Sequence, residues 1–256
     1  LPRTLVVAVR PRVFLALAVV IPGTARAQAG AVAQGDRLMA ESRTQAAIEA
    51  YRAGLAAHPG DPTLLWKTAR AISNLADETP GDAGDETRME EAVELSRRAV
   101  RAGPGISRAH TTLAASLGKL ALFRGGKRKV ELAREVGREA RRAAELDPQD
   151  FAPFTVLGVL ERELATLNPL LKGFASALFG GVPDASLDRS AGLLGRAVRL
   201  APAYVAPHLE LARTYAEMDR EEEARAELHQ ALALPPRERL DAVLQDRARE
   251  LLRELD

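Results

Sequence analysis

The stretch PHLELARTYAEMDREEEARAELHQALALPP, Pro207–Pro236, decides how the chain folds. Its first half places Leu211, Ala212 and Tyr215 on one side of a helix. Its second half does the same with Ala224, Leu228 and Ala231, and then stops at Pro236. Small residues seven positions apart share a helical face and let a second helix approach closely. A proline shortly after the last of them follows the helix end, because it cannot continue the i−4 hydrogen-bond ladder. The stretch therefore reads as two antiparallel helices joined by a short turn.

The second-helix spacing recurs upstream as Ala47, Tyr51, Gly54, Pro59; Ala92, Ser96, Ala99, Pro104; Val136, Ala140, Ala143, Pro148; and Ser190, Leu194, Ala197, Pro202. First helices are marked by Gly35 and Leu38, Ala69 and Ile72, Ala114 and Leu117, and Gly158 and Glu161. Glu161 is polar where the other units carry a bulky apolar residue. A helix pair repeating at about 34 residues is tetratricopeptide-like. The expected fold is all-α, a right-handed α-solenoid of about five such pairs. The units fall at about 28–61, 62–105, 106–150, 151–202 and 203–236. Glu238–Leu255 is expected to be a closing helix, since a terminal repeat needs a polar outer face. Leu240, Val243, Leu244, Ala248 and Leu251 would form its inward stripe.

The prolines at 59, 104, 148, 202 and 236 are 45, 44, 54 and 34 residues apart. Measured between the paired small residues, all of the excess lies inside units two, three and four. Such insertions map to one face of a solenoid, so they should stand side by side along one rim, as loops or as longer helices. The first, Asp77–Arg88, is acidic and turn-rich. Read as a solvated rim loop, it should be removable with little loss of helicity. The second, Phe123–Arg142, is basic. The third, NPLLKGFASALFGGVP at residues 168–183, is apolar.

Composition and charge narrow the function. The chain has 256 residues, 46% hydrophobic and 28% charged, with no cysteine. Disulfides, thiolate nucleophiles and cysteine-ligated zinc are excluded. Arg3, Arg10 and Arg12 precede the apolar run Val13–Ile21, and Ala25–Ala27 ends it as A-x-A. That pattern is a secretory leader covering residues 1–27, cleaved before Gln28; an uncleaved leader would act as an anchor. The expected location is therefore periplasmic or secreted, with no stable membrane span after cleavage. Losing the leader removes four arginines and takes the formal charge from +1 to −3. A nucleic-acid partner then has no electrostatic footing.

No motif points to catalysis or to a cofactor. GGK at Gly125–Lys127 lacks the hydroxyl residue and the upstream glycine of a phosphate loop. Asp77, Glu78, Asp82, Asp85 and Glu86 lack the spacing of a calcium loop. His58, His110, His208 and His229 show no metal-ligand spacing; His110 and His208, at matching positions in first helices, read as packing or groove residues.

ASALFGGVPDAS (Ala175–Ser186), following AAELDPQDFAPFTVLG, together with the glycine break RGGKRKVELAREV in the preceding unit, resembles the regulator of microtubule dynamics family. The resemblance runs from about Asp77 to Leu234 and is most specific at Ala177–Gly180 followed by Pro183. It implies a helical-repeat domain without catalysis. It also implies an association of eukaryotic members with microtubules, spindles and mitochondria, and a lipid-binding role for the repeats. An exported, alanine- and arginine-rich member is expected to be bacterial.

The leading expectation is a non-enzymatic scaffold that holds a protein or peptide on its concave surface. The alternative is a carrier of a phospholipid, fatty acid or other amphipathic anion, with the apolar insertion 168–183 as its lid. Leu171, Phe174 and Leu178 form one helical stripe there, with Phe179 beside it, which reads first as a short helix packed over the solenoid core and second as an apolar lid or membrane-contacting element. Lys127, Arg128 and Lys129 precede the first glutamate of their stretch and are expected to lack an acidic partner, which leaves them for an anionic head group.

Overall fold

The computed structural model describes residues 22–82, 84–167, 173 and 185–255, with side chains from residue 28. Among these residues the chain is entirely helical, without strands. The helices are α1 (Pro22–Ala40), α2 (Thr44–Ala57), α3 (Pro62–Glu78), α4 (Asp85–Ala102), α5 (Ser107–Leu120), α6 (Gly126–Leu146), α7 (Ala152–Ala165), α8 (Leu187–Leu200), α9 (Val205–Ala216), α10 (Glu221–Ala233) and α11 (Arg239–Glu254). They form five pairs, α1–α2 to α9–α10, followed by the closing helix α11. The fold is the expected α-solenoid of tetratricopeptide-like units.

The small residues hold each pair together. Every second-helix position of the repeated pattern, from Ala47, Tyr51 and Gly54 through to Ala224, Leu228 and Ala231, is buried. Two first helices carry glycine because the facing side chain leaves no room for more. A Cβ on Gly35 would lie 2.1 Å from the ring of Tyr51, and one on Gly158 would lie 2.5 Å from Leu194 Cγ. Local chemistry sets the helix starts. Asp61 accepts from Leu64 N at 2.7 Å ahead of Pro62, and Ser186 accepts from Arg189 N at 3.1 Å; side-chain oxygens thus satisfy orphan N–H donors.

Neighbouring units touch mainly where the second helix of one packs on the first helix of the next, α2 on α3, α4 on α5, α6 on α7 and α8 on α9, and successive first helices also meet, α1 to α3, α3 to α5, α5 to α7 and α7 to α9. Second helices of consecutive units are not packed closely on one another and meet through side-chain ion pairs, Arg52 with Glu91 at 2.6 Å and Arg97 with Glu135 at 2.9 Å. The first helices therefore form the inner, concave layer and the second helices the outer one.

The turns between units share a device that the repeat pattern does not announce. Each inter-unit proline carbonyl receives a side-chain donor: Pro59 from Arg98 at 2.8 Å, Pro104 from His110 at 3.0 Å, Pro148 from Arg196 at 3.0 Å and Pro202 from His208 at 3.0 Å. Arginine from the next second helix alternates with histidine from the next first helix. At the last turn Gln245 Nε2 takes over, donating to Ala231 O at 3.0 Å and Leu234 O at 2.7 Å.

In units two and three the extra residues mostly lengthen helices. α3 and α4 have 17 and 18 residues, and α6 has 21, against 12 and 13 in the compact fifth pair. The expectation of a solvated, removable loop at Asp77–Arg88 is corrected accordingly. Asp77 and Glu78 belong to α3, Glu78 and Asp85 are buried, and residues 85–88 open α4. Asp85 and Asp82 both pair with Arg88, at 2.7 and 2.5 Å, which closes the short connection on itself. The insertion of unit four falls almost wholly outside the described residues. Glu161, the polar exception in its first helix, now has a reason. It accepts from Ser186 N at 3.3 Å and Arg189 Nε at 3.1 Å, and so fixes the point where the chain rejoins the repeat.

Candidate binding surface

The inner face of a solenoid is where an extended partner fits, and here part of it is covered by the chain itself. α11 packs on α9 and α10 of the fifth unit and also reaches α3 of the second. Its apolar side serves the fifth unit: Leu244 and Ala248 join Val205, Leu209, Ala212, Leu228 and Ala231 in one cluster, with Leu240 and Leu251 partly buried beside them. Asp241 and Gln245 are buried too, which the apolar pattern does not include. Asp241 accepts from Arg237 N at 2.9 Å, so both polar side chains bind the turn that leads into α11.

The contacts with α3 are polar. Asn74 Nδ2 donates to Glu238 Oε1 at 3.3 Å. Arg247 Nη2 donates to Asp77 O at 3.2 Å and lies 3.9 Å from Asp77 Oδ1. Arg239 Nε lies 3.7 Å from Glu78 Oε2; the glutamate side chain is 2% exposed and the arginine 57%.

Asp77 and Glu78 join the first three units to the closing helix. Thr44 at the start of α2 donates to Glu78 Oε1 at 2.7 Å. Lys119 of α5 donates to Asp77 Oδ2 at 2.6 Å and to Ser73 O at 3.0 Å. Burial raises Glu78 above the ordinary carboxylate range, against the lowering pull of Thr44 and Arg239 and with the help of the nearby Glu238 charge. Glu238 is likewise raised by burial, with Arg70 pulling the other way. Like charges packed together disfavour ionisation of each.

The remaining inner face carries Trp66 and Arg70 on α3, whose side chains stack with 6.0 Å between guanidinium and ring. Arg162 of α7 is buried and bridges to α9 through Glu210 O at 3.0 Å and Glu210 Oε2 at 2.7 Å. At the edge of the inter-unit turns, a cleft of about 450 Å³ is lined by Arg108, Asp150, Phe151 and Tyr204. Arg108 Nε sits 2.8 Å from Asp150 Oδ2, an ion pair off the angle of a hydrogen bond. The Phe151 and Tyr204 rings are 4.5 Å apart, and Arg237 covers Tyr204 at 4.1 Å.

The anionic-ligand residues fare differently. Leu171, Phe174, Leu178 and Phe179 lie outside the described residues. Lys127, Arg128 and Lys129 stand exposed in the first turn of α6. The expectation that they lack an acidic partner is corrected for two of them. Arg128 Nη1 is 3.2 Å and Lys127 Nζ 3.9 Å from Glu131, because a helix starting at Gly126 brings positions three and four apart onto one side. Arg124, just ahead of them, pairs with Glu86 and Glu90 of α4. Both matching histidines are held in one way: His110 Nδ1 meets Glu139 at 2.7 Å and His208 Nδ1 meets Glu227 at 2.6 Å, while each Nε2 serves a proline carbonyl. Among the described residues no cluster is arranged to hold a metal ion, and no helix is long and apolar enough to cross a membrane.

Comparison with known proteins agrees with this architecture. The sequence profile of the family described as regulator of microtubule dynamics protein 1-3 matches residues 31–256. Regulator of microtubule dynamics protein 1 of Bos taurus is 26% identical over 75% of this chain and 62% of its own length. Protein 3 of Mus musculus is 27% identical over 73% of this chain and 40% of its own. The chain thus spans less than two thirds of these relatives. Among solved structures, a thermophilic TPR protein of Thermus thermophilus superposes with a TM-score of 0.65 at 20% identity, covering 88% of this chain and 98% of its own. PilF of Pseudomonas aeruginosa gives 0.53 at 14% identity, covering 91% and 88%.

Proposed function

The chain belongs to the regulator of microtubule dynamics protein 1-3 family, and from that membership and the geometry of its inner face we propose that it is a non-enzymatic scaffold holding a partner protein or peptide on its concave surface. The observation that supports this reading is α11. A helix of the chain already lies against α9, α10 and α3, so the last unit offers an apolar floor, and α3 offers fixed polar groups, to a helical segment. The helical-repeat scaffold is a family-level property; the role in microtubule dynamics carried by the relatives' names belongs to longer proteins. The leader pattern at residues 1–27 supports a place of action outside the cytoplasm.

Photo-crosslinking in the native host tests the reading. A photoreactive residue replaces Trp66 or Thr155 on the inner helices, or Leu122, 73% exposed on the rim, as the control. The expected result is one set of partner proteins captured from the inner positions and absent from the control. Identical capture at all three positions would remove the concave face as the binding surface.

A further inference from the structure

The contact between α11 and α3 differs from every other contact α11 makes. Its apolar residues are spent on α9 and α10. Toward α3 it offers Glu238, Arg239 and Arg247, and the two arginine side chains remain 57% and 31% exposed. Ion pairs this open to water hold weakly and are screened by salt. The connection to α10 runs through Pro235 and Pro236, whose rings fix φ and remove two main-chain donors. Leu234 at the end of α10 is accordingly extended, with φ −74° and ψ 139°, and makes no backbone cap. α11 is thus attached to one unit by packing and to another by surface charge.

The α3 side is organised without α11. Thr44 holds Glu78 and Lys119 holds Asp77, so both carboxylates stay in position if the arginines leave. The resident helix also brings its own carboxylate, Glu238, to this acidic site, where it meets Asn74 and adds to the negative charge around Glu78.

We propose that α11 is a displaceable, built-in occupant of the inner face, and that the partner admitted there is an amphipathic helix with an apolar stripe and two basic residues about eight positions apart, directed at Asp77 and Glu78. Eight residues are about 12 Å of helix, the spacing of Arg239 and Arg247. The proposal rests on the concave-surface reading and names the chemistry of its partner. The tether gives α11 the advantage of high local concentration, so a competing helix enters only when the hold on α3 is loosened or when its own fit is better.

The test uses the full chain, its Arg239→Glu/Arg247→Glu variant, and a fluorescent peptide with the sequence of residues 237–255. Both arginines are partly or largely solvated, so the variant should keep its helicity. Hydrogen exchange should show residues 239–247 opening at least tenfold faster in the variant, with α9 and α10, which share the apolar cluster of Leu244, following it, and with α5 and α7 unchanged. The peptide, followed by anisotropy, should bind the variant at least tenfold more tightly than the parent. Adding Asp77→Lys should abolish that gain. Should the variant fail to fold, the parent at 0.05 and 0.5 M salt gives the exchange readout alone, with faster opening expected at high salt. Unchanged exchange would show α11 to be a fixed part of the fold and overturn the proposal, leaving the crosslinking test of the inner face untouched. Faster exchange without peptide binding would overturn it as well, by showing that α3 is no helix-docking surface. Dimerisation of the variant with the peptide excluded would overturn it in favour of a second copy.

Discussion

Arg247 of α11 and Asp77 of α3 are 170 residues apart in sequence, and the arginine donates to the aspartate main-chain carbonyl at 3.2 Å. The same guanidinium lies 3.9 Å from the side chain. This pair, with Arg239–Glu78 and Asn74–Glu238, carries the closure of the solenoid from its last helix back to its second unit.

A double-mutant cycle should resolve the pair. Arg247→Ala and Asp77→Ala are expected to couple by about 0.5–1 kcal/mol in urea unfolding, the range for a partly exposed ion pair. Asp77→Ala alone should cost more than Arg247→Ala, because it also leaves Lys119 of α5 without its 2.6 Å partner. Simple additivity would mean that the side-chain ion pair contributes nothing, since Asp77→Ala leaves the bond from Arg247 to the main-chain carbonyl in place.

Gly158→Ala should destabilise the chain by about 1–3 kcal/mol, the usual cost of overpacking. The new methyl would meet Leu194 at 2.5 Å, and Leu194 is fully buried. Gly192 in α8 is the control: a Cβ there meets nothing within 4 Å. Gly192→Ala should stabilise by about 0.5–1 kcal/mol, as expected in a helix interior. Equal effects at the two positions would contradict the close approach of α7 and α8.

His208 presents both ring nitrogens to acceptors, Glu227 and the carbonyl of Pro202. Burial opposes its charge, but those two acceptors outweigh it and raise the ring above the ordinary histidine value. The sign follows: the folded state binds the proton more tightly than the unfolded one. Its contribution is therefore complete below about pH 6.5 and lost as pH rises through the raised value. Urea titrations across pH 5.5 to 9 should show stability falling over that interval, and His208→Gln should flatten the fall. A parent curve that rises with pH there, with a variant that follows it, would contradict the assignment.

Export is proposed from the leader alone. Expressed with residues 1–27 in a bacterial host, the chain should be recovered from the periplasm beginning at Gln28. That boundary lies inside α1, and Gln28 hydrogen-bonds to Asp61, so the mature end would stay tied to the second unit. N-terminal sequencing that finds Leu1 on the exported chain would count against cleavage.

The repeat is legible in the sequence because close helix pairing leaves a local mark. Ala224, Leu228 and Ala231 are small or apolar at fixed spacing, and so are their four counterparts. The proline-carbonyl ladder is half visible: His110 and His208 stand out by position, but Arg98 and Arg196 are ordinary in an arginine-rich chain. The junction at Asp77 and Glu78 shows in the sequence as acidic, and acidity alone suggests a solvated loop. Nothing nearby in sequence announces Thr44, Lys119 or Arg247 as its partners, since stacking of the adjacent units brings the first two to α3 and superhelical curvature brings the third. The pairing of Lys127 and Arg128 is hidden for a simpler reason: the helix start at Gly126 is needed before Glu131 can be placed on their side.

The closure of α11 onto α3 is measured most directly as a distance. The chain has no cysteine, so spin labels on Thr79→Cys and Glu250→Cys, both exposed, report from the end of α3 and from α11 alone. Double electron–electron resonance on the unliganded chain should give one narrow distance population, broadened when Arg239 and Arg247 are both changed to glutamate. A broad distribution in the parent chain, unchanged in the variant, would show that α11 does not cross the inner face and would contradict the account.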